Sequence, residues 1–480
     1  METKKIPACE VDFQGLSIDC RGRLFEWKGE LYRAIPVELS AFYRHLFDND
    51  TVRELVEKEL LVDTELTDLK IDDYDVVLKH QRIPFVSYPH EWCDHMLRDA
   101  ALFHLNLCLH LDTYNLTTDD AHPLNILFNG SQPVFVDFSS IVQLPTDISD
   151  CPWPPAEHFN RFFLNPLKLM QCGHARIARW LLLDFYYGVF ESEVEALSIR
   201  TLLDRSLASG IIALLQIKMQ RYLDLVGRPA KTMMNALASW AGPRKPEQSQ
   251  PRRELLKRIR EEVETISLPT VDQECLRHVG NISMAPSPSE DGRSILHAVH
   301  NSLASLQPAS VLDIEFATHS GCCSVLAAQL GSQVVSIDSN ESHVRALYEY
   351  TLRKKLTILP LLMDLSSPAL DFSNDRLAPA SKRLGCDLVL ALNIVERYVF
   401  GEGLNLDTII DRLSLFSRRW LLVEFSDRES PKKYSEWKEM MFEIPWYNRD
   451  DFAQRLKERF QTVTTIHSQP DSGVLFLCEK

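Results

Sequence analysis

Four polar side chains in the C-terminal part of the chain lie at the ends of short aliphatic runs. Asp313 lies in "SVLDI", Asp338 ends "QVVSID", Asp364 follows "LPLLM" and Asn393 follows "DLVLAL". If these runs are parallel strands, their carboxyl ends meet at one edge of a sheet, which is where open α/β sheets bind ligands. A carboxylate there can accept hydrogen bonds from two neighbouring hydroxyl groups. The pattern predicts a polar ligand site at this edge.

The turn after the first run is unusual for such a site. It reads "EFATHSG", Glu315 to Gly321, and holds one glycine. Comparable turns hold more, because glycine adopts positive φ without a Cβ clash and lets a ligand approach the backbone. Glu315 instead adds a side chain and a negative charge. Either the turn is shifted so that Gly321 supplies the permissive position, or ligand binding is weakened or lost.

Runs of β-branched and aliphatic residues alternate here with helical patterns, which predicts a parallel sheet covered on both faces. Two further β-rich runs flank Pro470 to Gly473, a turn signal that predicts an antiparallel hairpin. The five preceding strands are predicted at Ser310 to Ile314, Gln333 to Ile337, Ile358 to Met363, Asp387 to Leu392 and Trp420 to Phe425.

Five parallel strands followed by an antiparallel pair resemble the class I S-adenosylmethionine-dependent methyltransferase fold, over residues 309–480. The resemblance implies a doubly wound, Rossmann-like α/β sheet with S-adenosyl-L-methionine as cofactor. In that family the acid of the first strand meets the amino acid part of the cofactor, that of the second the ribose, and that of the third the adenine. The cofactor-binding residues so implied are Asp313, Gly321, Asp338, Asp364 and Asn393.

Methyl transfer to a hydroxyl or carbon acid benefits from a general base. The candidates near the predicted strand ends are Glu396, in "NIVERYVF", and Glu424, in "LLVEFSDRES". Of these, Glu396 is the predicted catalytic residue. The alternative interpretation is that Glu396 and Arg397 form an exposed helix start.

A second set of polar residues lies in "DDAHPLNILFNGSQPVFVDFSS", where Asn125 follows Asp120 by five positions and Asp137 follows Asn125 by twelve. This segment resembles the catalytic segment of kinase-like phosphotransferases, which implies that Asp120 orients an acceptor hydroxyl while Asn125 and Asp137 bind a metal ion. The hairpin-like "GRLFEWKGELYRAIP" lacks a Gly-rich phosphate loop; Lys28 falls in its turn, and Arg33 is the candidate replacement for the usual lysine. Mg and ATP are therefore expected only if this kinase-like site is active.

Composition bounds the remaining possibilities. Because the chain has 480 residues, it should contain several domains. Because its net charge is −15, it should repel nucleic acid. A small-molecule or carbohydrate-type substrate suits it better. The N-terminus lacks a signal peptide, no apolar window is long enough for a membrane span, and the eleven cysteines form no CxxC pair. We expect a cytoplasmic protein without a cysteine-based metal site.

Two polar, proline-containing stretches divide the chain, "GPRKPEQSQPRRELLKRIREEVETISLP" and "MAPSPSEDGRS". They predict a kinase-like α+β domain at residues 1–240, a helical connector and linker at 241–290, and a methyltransferase-like domain at 291–480.

The segments "RIPFVSYPHEW", "PVFVDFSS", "RFFLNPLKLM" and "LPLLMDLSSP" are similar to those of a group of bacterial two-part proteins that includes the nodulation protein NoeA. The resemblance implies a methyltransferase that acts in the production of a nodulation signal. Two alternatives stay open. One is a binding or scaffold protein whose two nucleotide-type sites have decayed, and the other is a kinase-like phosphotransferase.

Overall fold

The computed structural model describes residues 4–7, 10–13, 21–71, 74–144, 153–198, 252–271, 295–367, 377–426, 444–469 and 473–480. The predicted linker "MAPSPSEDGRS" and most of the predicted turn at Pro470 to Gly473 lie outside the described residues. We call residues 4–198 the N-terminal part and residues 295–480 the C-terminal part.

The N-terminal part begins with a five-stranded antiparallel sheet in which the strands occur in the order β2-β3-β4-β7-β5. The predicted hairpin around Lys28 is confirmed, with Lys28 and Gly29 both at positive φ in its turn. The strands are β1 Lys4–Lys5, β2 Asp12–Phe13, β3 Arg23–Trp27, β4 Glu30–Pro36, β5 Thr64–Leu66, β6 Leu69–Lys70, β7 Tyr74–His80, β8 Leu116–Thr118, β9 Ile126–Asn129, β10 Gln132–Phe135 and β11 Ile141–Gln143.

Helices follow this sheet, and the longest of those described, α3, immediately precedes the segment that contains Asp120. The last helix of this region, α8, buries Leu256, Ile259 and Val263, whose spacing of three and four places them on one face toward α3. None of the described helices is both long and apolar enough to cross a bilayer. The helices are α1 Val37–Asp48, α2 Thr51–Glu57, α3 Asp94–Leu111, α4 Ala156–Phe159, α5 Asn165–Gln171, α6 Ala175–Leu181, α7 Glu191–Leu197 and α8 Arg252–Thr265.

The C-terminal part forms a seven-stranded sheet with helices between successive strands. Its five parallel strands are mostly aliphatic and buried, as expected of parallel strands covered on both faces, whereas the edge strand Thr462–Gln469 is polar. The strands are β12 Ser310–Ile314, β13 Gln333–Asp338, β14 Ile358–Leu362, β15 Cys386–Ala391, β16 Ser417–Phe425, β17 Thr462–Gln469 and β18 Gly473–Glu479. The helices are α9 Ile295–Leu306, α10 Cys322–Gln329, α11 Glu341–Lys354, α12 Ala380–Leu384, α13 Leu406–Phe416 and α14 Arg449–Lys457.

The strand order in this sheet is β14-β13-β12-β15-β16-β18-β17, with β18 antiparallel to both neighbours. All five predicted parallel strands and the terminal hairpin are confirmed. The largest difference is at β16, which begins at Ser417 because this residue pairs with Cys386 before a register shift. The order reverses at β12, so the carboxyl ends of β12, β13 and β15 flank the point where such sheets bind ligands.

The two parts are joined by buried ion pairs. Both carboxylate oxygens of Asp94, the first residue of α3, accept hydrogen bonds at 2.8 Å from Arg345 of α11. Arg383 of α12 pairs with Glu91 at 2.5 Å, and the Tyr348 hydroxyl donates to Asp99 at 2.8 Å. Because α11 directly follows the Asp338 strand, these contacts connect the ligand edge of the sheet to the N-terminal part.

Gly130, in the turn between β9 and β10, contacts the C-terminal sheet. It has a φ of +61°, and a Cβ atom at this position would lie 3.1 Å from the Thr357 Cα. We expect Gly130→Ala to lower the free energy of unfolding by about 1–3 kcal/mol, because it adds a left-handed alanine and a backbone clash. Gly29→Ala is the matched control, since Gly29 has a φ of +80° and no heavy atom within 4 Å of such a Cβ. Equal losses in denaturant titrations of the two variants would show that the contact with Thr357 is unimportant.

Candidate functional site

Asp313 lies one residue before the end of β12, and its side chain points toward the helix layer. The carboxylate is 3% exposed and accepts a hydrogen bond from the Ser324 hydroxyl at 2.5 Å. Ser324 in turn accepts one from Ser336 at 2.9 Å. Burial raises the pKa of Asp313 to about 6. The side chain therefore links β12 to the first turn of α10. Its contact with a cofactor stays a prediction.

Asp338 ends β13 and is bonded on both carboxylate oxygens. Oδ1 accepts hydrogen bonds from the Asn340 backbone N–H at 2.8 Å and the His343 ring at 3.1 Å, and Oδ2 accepts one from the Ala317 N–H at 3.3 Å. The hydrogen bond from His343 to Asp338 raises the pKa of the imidazole. The carboxylate is thus fixed beside the turn, as a residue that binds vicinal hydroxyls would need to be.

Asp364 lies after β14 and lines a cavity of about 320 Å³ between the two parts of the chain. Leu362, Met363 and Ser339 form the C-terminal wall, whereas Trp180 belongs to the opposite wall, which comes from the N-terminal part. Trp180 is 67% exposed at the rim. The cavity has the apolar surface, the carboxylate and the aromatic side chain that a planar heterocycle requires.

Glu315 occupies the first glycine position of the turn, and its backbone is left-handed, with φ 52° and ψ 49°. Its buried carboxylate accepts hydrogen bonds from Arg397 at 2.5 Å and from the Tyr398 hydroxyl at 2.9 Å. Arg397 also donates to Ser339 at 2.8 Å, so this network spans the gap between β13 and β15. Burial raises the pKa of Glu315. The Glu315–Arg397 pair lies at the carboxyl end of β12 and contacts the cavity lining through Ser339.

Positive φ angles cluster around this edge. Glu315, Ser320, Gly321 and Asn393 have φ between 52° and 71°. Gly321 has a φ of +71° at the start of α10, as the shifted turn would require, and its role in cofactor binding stays a prediction. Strained backbone of this kind concentrates at ligand sites, where surrounding contacts hold it in place.

Glu396 is 1% exposed, so the expectation of an exposed helix start is wrong for this residue. Its Oε1 accepts a hydrogen bond from the Ser426 N–H at 3.1 Å, and Oε2 has no hydrogen-bond partner among the described residues. Burial raises its pKa to about 7. Glu424, the other candidate base, is fully buried and lies 3.6 Å from the His319 ring. Both Glu396 and Glu424 are therefore buried at the carboxyl edge of the seven-stranded sheet.

A second cavity, of about 430 Å³, lies between the N-terminal sheet and the β9–β10 hairpin. We call it the N-terminal cleft, and its lining includes Arg33, His80, Asn125, Leu127 and Asp137. Two of the three residues predicted from the kinase-like spacing thus line one cavity. The predicted role of Arg33 as the replacement cation is consistent with its position on the opposite wall.

Asp120 contacts the cleft residues through Asn125, whose side-chain amide donates to the Asp120 carboxylate at 2.6 Å. Burial, with the nearby charge of Asp137, raises the pKa of Asp120 to about 6. Asp137 is already paired, because Arg33 Nη1 lies 3.2 Å from its Oδ1 and Ser139 donates to the same oxygen at 2.7 Å. Arg33 therefore places a positive charge beside one carboxylate oxygen of Asp137, the residue predicted to bind a metal ion.

Sequence reasoning missed the functional positions of Arg397, Tyr398 and Trp180. Arg397 and Tyr398 were missed because the sequence does not indicate which side chains pair with Glu315, the acid in place of glycine. Trp180 lies in a different part of the chain from Asp364, and nothing local indicates that the two line one cavity.

No family model matches the chain. It is 24% identical over 466 residues to the nodulation protein NoeA of Rhizobium meliloti (strain 1021), which covers 93% of this chain and 91% of NoeA. The chain is similar to NoeA over nearly its whole length. The predicted resemblance is confirmed, and it includes both the N-terminal and the C-terminal part.

Solved structures give weaker similarities. WbdD, described as a bifunctional kinase-methyltransferase, is 15–16% identical, and the match covers 38% of this chain and 38% of WbdD at a TM-score of 0.27. An O-methyltransferase family protein from Burkholderia thailandensis is 11% identical, with 39% of this chain and 55% of that chain covered at a TM-score of 0.30. Such TM-scores carry no argument, and the fold is assigned from the strand order of the sheet.

Proposed function

We propose that the chain is an S-adenosylmethionine-dependent methyltransferase whose cofactor lies at the carboxyl edge of the seven-stranded sheet. When bound, the cofactor supplies a methyl group already activated on a sulfonium ion. The proposal keeps the predicted domains, residues 1–240, 241–290 and 291–480. The acceptor proposed is a small-molecule or carbohydrate-type compound, and the similarity to NoeA supports a place in nodulation signal production.

The observation that carries the proposal is an excess of buried acid at the strand ends. Asp313, Glu315, Asp338, Glu396 and Glu424 are each at most 3% exposed. Among the described residues, neither Asp313 nor Glu396 has an ion pair. Burial raises the pKa of Asp313 to about 6 and that of Glu396 to about 7. Buried carboxylates favour a positively charged partner. A sulfonium ion with an ammonium group is such a partner.

The proposed placement uses the cavity between the two parts. Asp364 and the aliphatic wall at Leu362 and Met363 would hold the adenine, and Asp338 would accept the ribose hydroxyls. The amino acid portion would then extend toward Asp313 and Asn393, across the position of Glu315. Glu315 and Arg397 must separate for this to happen. Glu396, with its pKa near neutrality, is the proposed base for a hydroxyl acceptor.

A second candidate function is favoured by the same Glu315–Arg397 pair. If the pair never opens, the chain is a binding or scaffold protein with a methyltransferase fold. Its closed turn would then stabilise the sheet edge rather than regulate access to it. The two candidates differ in whether the chain binds the cofactor.

Calorimetric titration of the full chain with S-adenosylmethionine tests the proposal. We expect saturable heat in the parent and a loss of affinity of at least tenfold in Asp338→Ala, because the ribose hydroxyls lose their acceptor. Asp411→Ala is the matched control, since Asp411 is 56% exposed, pairs with Arg459 and does not line the cavity. Absence of binding in the parent at millimolar cofactor would favour the scaffold candidate. Equal affinities in the two variants would remove Asp338 from the site.

A further inference from the structure

We propose that Trp180, from helix α6 of the N-terminal part, covers the adenine ring of the cofactor. The inference rests on the proposed function and adds to it, because it makes the N-terminal part a component of the cofactor site. The cofactor contacts predicted from the sequence all come from the C-terminal part, whereas this one comes from outside the seven-stranded sheet.

One face of α6 lines the cavity of about 320 Å³ between the two parts of the chain. Arg176, Arg179 and Trp180, with Leu183 just after the helix, are spaced by three and four positions, which places them on one side. Ala178 lies on the opposite side and is fully buried. The helix therefore packs on the core with one face and presents the other to the cavity.

Arg179 holds this helix against the C-terminal part. Its Nε donates a hydrogen bond to the Trp92 carbonyl oxygen at 3.3 Å, and Nη2 donates to the Glu341 carboxylate. Glu341 is the first residue of α11 and follows Asp338 by three positions. The cavity wall formed by α6 is therefore fixed relative to the strand whose carboxylate is proposed to accept the ribose hydroxyls.

Trp180 is available to a ligand. It is 67% exposed, the largest fraction among the large apolar side chains in the described part of the chain. No aromatic ring of another described residue packs on it. An indole at the mouth of a cavity offers a flat heterocycle a surface for stacking. Leu362 and Met363 line the cavity from the C-terminal part, so an adenine between them and the indole would be removed from water on both faces.

The test compares two compounds, S-adenosylmethionine and 5′-methylthioadenosine, which has the adenine and ribose of the cofactor but no amino acid portion. Because the proposed position of the adenosine lies in the cavity, we expect 5′-methylthioadenosine to bind the full chain without separation of the Glu315–Arg397 pair. Titration calorimetry measures both affinities. Trp180→Ala should weaken the binding of each compound about tenfold, since stacking of a base on an aromatic ring contributes that much.

Two further variants separate stacking from damage to the helix. Trp180→Phe keeps an aromatic face and should bind within about threefold of the parent. Ile177→Ala is the matched control, because Ile177 is 40% exposed on the same helix but does not line the cavity, and it should bind as the parent does.

Tryptophan fluorescence reports the contact directly. We expect 5′-methylthioadenosine to cause a saturable fall in emission in the parent and in Trp446→Phe, which removes an indole that is 36% exposed in the C-terminal part. Trp180→Phe should lose this fall while it still binds the compound.

The outcomes distinguish this inference from the proposed function. Unchanged affinity for S-adenosylmethionine in Trp180→Ala would overturn the contact and leave the proposed function intact. Binding of 5′-methylthioadenosine alone, weakened in Trp180→Ala, would support the contact and contradict the proposed function. A parent that binds neither compound would overturn both.

Discussion

Replacing Arg345 with methionine is expected to lower the free energy of unfolding by about 3–5 kcal/mol, the cost of leaving a buried charge without its partner. The Arg345 side chain is 5% exposed and that of Asp94 is 1% exposed, and the two share a bidentate contact at 2.8 Å. Methionine keeps most of the side-chain volume but leaves the Asp94 carboxylate without its cation. The measurement is denaturant unfolding followed by circular dichroism.

Arg353→Met on the same helix is the control for this prediction. Arg353 is 63% exposed and pairs with Glu349 at 3.8 Å, so its loss should change the unfolding free energy by less than about 0.5 kcal/mol. The double variant Asp94→Leu with Arg345→Met should recover much of the lost stability, because no unpaired charge remains. Equal stability of Arg345→Met and the parent would mean that the two parts are not held together by this ion pair.

Replacing Glu315 with glycine is expected to tighten S-adenosylmethionine binding about tenfold, which corresponds to about 1.4 kcal/mol. The substitution removes the buried carboxylate that holds Arg397 at the carboxyl end of β12, where the cofactor is proposed to extend, and glycine adopts the observed φ of 52° without strain. Arg397, whose side chain is 40% exposed, can turn to water when it loses its partner. Titration calorimetry of the full chain measures the change.

Ser320→Gly is the control for the loop itself, because Ser320 has a φ of 55° in the same turn, whereas the described hydrogen bonds of Arg397 go to Glu315 and Ser339. It should leave the cofactor affinity unchanged. Weaker binding in Glu315→Gly would show that the carboxylate contacts the cofactor rather than excluding it. This prediction depends on the proposed function. A parent and a variant that both fail to bind would favour the scaffold candidate.

The positions of the strands were accessible from the sequence because buried parallel strands require aliphatic runs, which few other elements show. β12 was predicted with its exact ends, and the positive φ of Gly321 followed from glycine alone. Asp338 and Asp364 were predicted at strand ends, and the structure brings both near Ser339. Their roles with a cofactor remain predictions, as do those of Asp120, Asn125 and Asp137.

What the sequence could not give is the pairing of distant side chains. Asp94 and Arg345 are separated by 251 positions, and either could have been an ordinary surface charge. The contact of Arg33 with Asp137 spans more than a hundred positions, and it places a cation beside the predicted metal-binding carboxylate. The burial of Glu396 was missed for the same reason, since its environment is built by β16.

The ion pair between Arg345 of α11 and Asp94 of α3 constrains which substitutions such a two-part chain can accumulate during evolution. Because a charge on one part is neutralised by the other, neither part can be exchanged for an unrelated one without its matching residue. Substitutions that remove the acid would persist only in lineages that had also lost the arginine. We therefore expect the two parts to be inherited as one unit, although each has its own sheet.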